Sequence, residues 1–240
     1  MKNRNGFGVL GIILTIVIVL IVIGGFTWIF YGKTIGAMIA IRSLENGNES
    51  LLSVTPTARS LSPIAIRAAS SRLKYGGYIF TVPWGGVSST KGGVTPTSSV
   101  SITFSDGNQF GVLSPAAPNA QEANDINDIG SLDPSYQIKT LYDLDNVVYH
   151  ATPDQVTITT PGNDAVLIAL LLTLKSVELT ATGPIYSFDT GVIKGFQLGD
   201  PISGKSVPIH CYDQNGNKFT VITSGTQSEI DDILASIRPQ

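Results

Sequence analysis

Residues Phe7 to Phe30 form an apolar run without one charged side chain, and Lys2 and Arg4 precede it. As a helix this run measures about 36 Å at about 1.5 Å per residue, enough for a hydrocarbon core of about 30 Å. It exceeds the apolar core of a secretory signal, about 7–15 residues. Phe26, Trp28, Phe30 and Tyr31 stand where a small-residue cleavage site would fall, and such aromatics suit a membrane–water interface. The run therefore reads as an uncleaved, single-pass signal anchor. Lys2 and Arg4, set against Lys33 and Arg42, place the N-terminus inside and residues 31–240 outside the cytoplasm. The expected organisation is a cytoplasmic tail at 1–6, a transmembrane helix at 7–30, a juxtamembrane helix and linker at 31–72, and a globular domain at 73–240. The expected localisation is the cytoplasmic membrane, with the lipid bilayer as one partner.

Cys211 is the only cysteine, and His150 and His210 are the only histidines. No internal disulfide can form, and a zinc site would lack thiolates. The outer domain must be held by its core. Charged residues make up 14% of the chain, against about 25% in typical soluble domains, so Ser, Thr, Asn, Gln and Gly supply much of the polar surface. Residues 1–105 carry nine Lys/Arg and two acids, whereas 106–240 carry six and sixteen. A basic half next to the anchor suits anionic headgroups. No nucleic-acid partner and no cofactor are expected.

After the anchor, Ile35, Met38, Ile39 and Leu44 are spaced for one apolar helical face. Residues 53–71 read as a loose arm rich in Ser, Thr, Pro and Ala. Tyr75 to Val82 reads as a strand ended by Pro83 and Trp84, and 85–98 as a flexible loop. Val100, Ile102 and Phe104 alternate before a turn at Asp106-Gly107 and a return through Phe110 and Val112. A helix capped by Asp133 carries Ile138, Leu141, Leu144 and Val148, and a second, buried helix follows over Ala165 to Leu172. Strands are expected over 184–188 and 192–198, then a hairpin around Asn215-Gly216. A last helix is capped by Ser228, presents Ile230, Ile233, Leu234 and Ile237 to the core, holds Arg238 in its last turn and ends at Pro239. The fold class is α+β: a transmembrane helix, then an antiparallel-sheet α/β sandwich domain with a C-terminal helix.

Phe80-Thr81-Val82-Pro83-Trp84 after the first strand, this element order, and the closing Ser236-Ile237-Arg238 resemble the PsbP-like family over roughly residues 75–238. The resemblance implies a non-enzymatic assembly or partner-binding domain and carries no functional residue. Lys2-Asn3-Arg4-Asn5-Gly6 before Phe7 resembles a type IV pilin leader, which would make the chain a pilin-like subunit. Gly11 stands where that family usually has Glu.

Motifs that would carry chemistry are incomplete. Asp125-x-Asn127-x-x-Gly130-x-x-Asp133 follows a calcium-binding EF-hand loop, but Ile129 and Tyr136 replace two of its ligands. Asp213-x-Asn215-x-Asn217 starts the same way and then has Lys218 in place of the glycine; turn chemistry explains both. Ser71-Arg72-Leu73-Lys74 matches Ser-x-x-Lys without its companion motifs. Cys211 and His210, adjacent in a strand, point to opposite faces. The expectation is therefore not an enzyme but an interaction or assembly module, bound to another membrane or envelope protein. The contact site is expected at Trp84, Gly85 and Gly86, with Trp84 as a core lid in the competing reading. The alternative is an enzyme or small-ligand carrier whose site is built from scattered polar residues.

Overall fold

The computed structural model describes residues 25, 31–61, 70–92, 99–116, 129, 138–179, 183–202 and 205–240. Its helices are α1 (31–45), α2 (Glu49–Leu52), α3 (Leu141–His150), α4 (Gly162–Glu178) and α5 (Gln227–Ser236). Its strands are β1 (Pro56–Ala58), β2 (Ser71–Tyr75), β3 (Tyr78–Val82), β4 (Val87–Gly92), β5 (Val100–Phe104), β6 (Gln109–Ala116), β7 (Ile185–Asp189), β8 (Ile193–Leu198), β9 (Val207–Asp213), β10 (Lys218–Thr223) and β11 (Arg238–Pro239).

Two sheets organise them. The large one runs β1-β7-β8-β9-β10-β6-β5-β4, and the small one β11-β3-β2. Side chains alternate faces along a strand, and that period separates two cores. Ile185, Phe196 and Tyr212 face a layer built from α1 to α4, with Leu52, Leu141, Tyr149, Leu171 and Leu172 buried there. Phe188, Ile193, Ile209, Cys211, Phe219 and Val221 face the other way, onto the small sheet and α5. The result is helices, a central sheet, and a third layer of small sheet plus helix.

This architecture keeps the expected α+β class but corrects two of its parts. Among the described residues no helix is long and apolar enough to cross a membrane, and the run 7–30, apart from helical Gly25, lies outside them. The expected transmembrane helix, and with it the single-pass signal anchor, is therefore no part of the described structure. The sheet is mixed rather than antiparallel, because β1 pairs in parallel with β7. That strand lies in the stretch read as a loose arm. Helices cover both faces of the large sheet.

Several elements differ in detail for local reasons. Tyr75 to Val82 is not one strand: Gly76 and Gly77 take φ of +58° and +83° and turn β2 back into β3. Glycine adopts such angles without a Cβ penalty, which a two-residue hairpin turn requires. Residues 87–92 form an edge strand exposed along its whole length, so no burial alternation marks it. α3 begins behind Thr140, whose hydroxyl accepts from the Asp143 amide while Asp143 accepts from the Thr140 amide; Asp133 lies outside the described residues. α4 runs to Glu178, well past Leu172. α5 is capped by Thr226 with Glu229 rather than by Ser228, and Arg238 and Pro239 leave the helix to pair with β3. Ile230, Ile233, Leu234 and Ile237 are buried on the expected face.

Candidate functional site

Six polar side chains converge where α3 and the end of α4 meet β9 and β10. Asp145 and Tyr149 share a helix face at i and i+4, and Glu178 is the last residue of α4. His210 and Tyr212, two apart in β9, project to the same face. Lys218 lies directly across the ladder from Tyr212. Local secondary structure thus gathers residues from three separate stretches of chain.

Tyr149 donates from Oη to Glu178 Oε2 at 2.7 Å, and His210 Nδ1 lies 3.0 Å from the same phenol oxygen. With the phenol hydrogen given to Glu178, Nδ1 is the donor in that pair and the imidazole is the Nδ1–H tautomer. Tyr212 donates from Oη to Asp145 Oδ2. Lys218 Nζ donates to that oxygen at 2.7 Å and lies 3.8 Å from Glu178 Oε1. His210 Nδ1 is 3.8 Å from Asp145 Oδ2. Ligand-type atoms of Asp145, Glu178 and His210 all fall within 4.8 Å of one another.

Burial dominates the proton affinities. It raises the Tyr149 and Tyr212 phenols well above their ordinary range, with Glu178 and Asp145 adding to the effect. Desolvation, helped by Lys218, lowers His210 to about 3, so the imidazole is neutral at pH 7. An unfolded His has a pKa of about 6.5. Between pH 3 and 6.5 the unfolded chain binds the extra proton, so this contribution is complete above 6.5 and is lost on acidification. The expected slope is about 1.4 kcal/mol per pH unit. Urea unfolding of wild type and His210→Gln from pH 7 to 4 checks this: the variant should be flatter. Equal slopes would assign the acid sensitivity elsewhere.

A second feature lies on the far side of the helical layer. Thr34, Ala37 and Ile41 turn into the core, and Leu44 packs against it. Met38 and Ile39, read as part of one stripe with Leu44, are instead exposed by 38% and 66%. α1 thus has two apolar faces, of which one is buried. Lys33 donates to Asn163 Oδ1 at 2.9 Å and Thr34 Oγ1 to the Thr160 carbonyl at 3.0 Å, fixing the start of α1 beside the loop leading into α4. Between α1 and that loop runs a groove of about 990 Å³. Ile35, Met38, Ile39, Val156 and Ile158 supply apolar lining, and Glu45, Glu49 and Asp154 give it acidic edges beside one base, Arg42.

The residues singled out from the sequence lie elsewhere. Trp84 is 3% exposed. Its ring packs 5.5 Å from that of Phe104, and its Nε1 donates to Glu229 Oε1 at 3.3 Å, which is the geometry of a core lid. Gly85 beside it is half-buried and Gly86 exposed, and neither joins the polar cluster or the groove. Asp213 accepts from the Asn215 and Asn217 amides at 2.8 and 2.9 Å and from Tyr78 Oη at 2.7 Å. Burial opposes its ionisation, but these bonds outweigh it and hold the carboxyl below its usual range. This is turn chemistry. Of the EF-hand-like stretch 125–133 only Ile129 is described. Ser71 and Lys74 sit three apart in β2, on opposite faces. Cys211 is fully buried on the face opposite His210.

Comparison with known protein families, curated proteins and solved structures gives no match for this chain.

Proposed function

We propose that this domain is a partner-binding module whose groove along α1 receives an amphipathic helix with lysine or arginine flanking its apolar face. The observation that carries this reading is the second apolar face of α1, left at the surface beside an acidic edge. Helix-in-groove recognition uses anchors at i, i+3, i+4 and i+7. The stretch from Ile35 to Glu45 offers about 15 Å of helix for such anchors at about 1.5 Å per residue. Three acids against one base around the groove select a basic partner. A partner-binding role is also what the PsbP-like resemblance implies.

Binding is favoured over catalysis by the state of the polar cluster. Its phenols, carboxylates, imidazole and ammonium are engaged with one another, and the groove is lined by none of them.

The test uses two designed helical peptides with the same leucine face, one flanked by lysines and one by glutamates. The lysine peptide should bind, more weakly at high salt, as exposed charge pairs are screened. Met38→Ser with Ile39→Ser, and separately Glu45→Lys, should each weaken binding at least tenfold. Because these side chains are exposed or half-buried, thermal stability should hardly move. Equal affinity for both peptides, or binding indifferent to these substitutions, would overturn the reading.

A further inference from the structure

We infer that Asp145, Glu178 and His210 form a binding site for a divalent first-row transition ion, with the Lys218 ammonium as the exchangeable cation now seated in it. This goes beyond the groove and does not depend on it. Donors bound tetrahedrally at about 2.0–2.2 Å from one ion lie about 3.3–3.6 Å apart. The three donor atoms already fall within 4.8 Å of one another, so closure draws the farthest pair together by about 1.5 Å at most, shared between two side chains. The three come from α3, from the end of α4 and from β9, each held by regular structure rather than by a loop.

The position of Lys218 is the second observation. Its Nζ touches Asp145 Oδ2 at 2.7 Å and sits 3.8 Å from Glu178 Oε1. A positive charge between the two carboxylates stands where an ion bridging them would sit. The Lys218 side chain is 16% exposed, so it reaches the surface and can swing outward on its flexible stem. Tyr149 and Tyr212 already hold the carboxylates, by hydrogen bonds to Glu178 and Asp145, as the outer partners of metal-bound carboxylates do. An imidazole nitrogen beside two carboxylates suits zinc, cobalt or manganese better than magnesium or calcium, which take oxygen alone. On binding, the imidazole hydrogen moves from Nδ1 to Nε2, and Nδ1 gives its lone pair to the ion. The ammonium keeps its proton and moves to solvent.

The probes are Zn²⁺ by calorimetry and Co²⁺ by visible absorption, on the whole chain at pH 7. Lys218→Met removes the competing cation and keeps most of the side chain's length. It should tighten Zn²⁺ binding at least tenfold over wild type and give a Co²⁺ spectrum of low symmetry. His210→Gln in the Lys218→Met background should lose at least tenfold in affinity, and Mg²⁺ should not compete. Circular dichroism on each variant establishes that it is folded. If His210→Gln does not fold, Glu178→Gln, at a side chain 28% exposed, replaces it with the same expectation. No Zn²⁺ binding by folded Lys218→Met, or equal binding by all variants, overturns the site.

Discussion

Lys175→Met is expected to lower the stability of the fold by about 3–5 kcal/mol, because several buried main-chain acceptors lose their donor at about 1–3 kcal/mol each while the charge itself is relieved of burial. Lys175 is fully buried in the middle of the helical layer. Its Nζ donates to the carbonyls of Leu52 at 2.9 Å, Val54 at 2.6 Å, Tyr149 at 3.1 Å and Ala151 at 2.7 Å. Leu52 ends α2, Tyr149 is in the last turn of α3, and Ala151 is the residue that caps α3. Helix ends leave carbonyls without intrahelical donors and carry partial negative charge. One ammonium from α4 therefore closes the ends of two other helices. Burial pushes its pKa down to about 8, so at pH 7 the group is still charged. Methionine fills the volume but donates nothing, and each orphaned buried acceptor costs about 1–3 kcal/mol. Relief from burying a charge offsets part of that sum. Urea unfolding at pH 7 measures the loss. An unchanged midpoint would mean that water or local rearrangement satisfies all four carbonyls.

This side chain also shows why the helical layer was only partly legible in the sequence. Ala165 to Leu172 gives an apolar run that stops before Thr173, and a lysine two residues later looks like a helix leaving the core. The residues that retain Lys175 in the interior are main-chain carbonyls far along the chain, and main-chain acceptors have no sequence signal. α1 is a related case. Its apolar positions are evident, but whether Met38 and Ile39 or Ala37 and Ile41 face inward depends on which neighbour packs there. Hairpins around Asp106-Gly107 and Asn215-Gly216 were readable because turn chemistry is local. The Gly76-Gly77 turn carries the same chemistry, yet the expectation of one strand over 75–82 passes over it; the chain turns there from β2 into β3. The polar cluster had only a weak signal. Asp145 with Tyr149, and His210 with Tyr212, have spacings that share a face, yet the meeting of the two pairs is set by the packing of α3 on β9. Trp84 stands out in the sequence by its size and its place after a proline, whereas its burial follows from α5 and β5 closing around it.

The small sheet gives the second large effect: Phe80→Ala is expected to cost about 3–5 kcal/mol, the usual range for emptying a buried phenylalanine site. Phe80 is fully buried in β3. Its ring lies 5.3 Å from Phe110 in β6 and 6.3 Å from Phe219 in β10, both of the large sheet, and 6.5 Å from Tyr78. Tyr78 in turn stacks on Phe219 at 4.6 Å. The strand carrying Phe80 is flanked on one side by β2 and on the other by the two residues of β11. α5 packs on the same strand, where Ser236 Oγ accepts from the Thr81 amide at 2.7 Å. A three-stranded sheet this small has no core of its own, so its order rests on the aromatic contact beneath it. Truncation should therefore act unevenly. Amides of β2, β3 and β11 should lose hydrogen-exchange protection first, while β8 and β9, buried between two layers, keep theirs. Against a total stability of about 5–15 kcal/mol for a typical domain, the loss should also lower the urea midpoint clearly. A cost below about 1 kcal/mol, or protection lost equally across both sheets, would show that the third layer is held by α5 rather than by this ring.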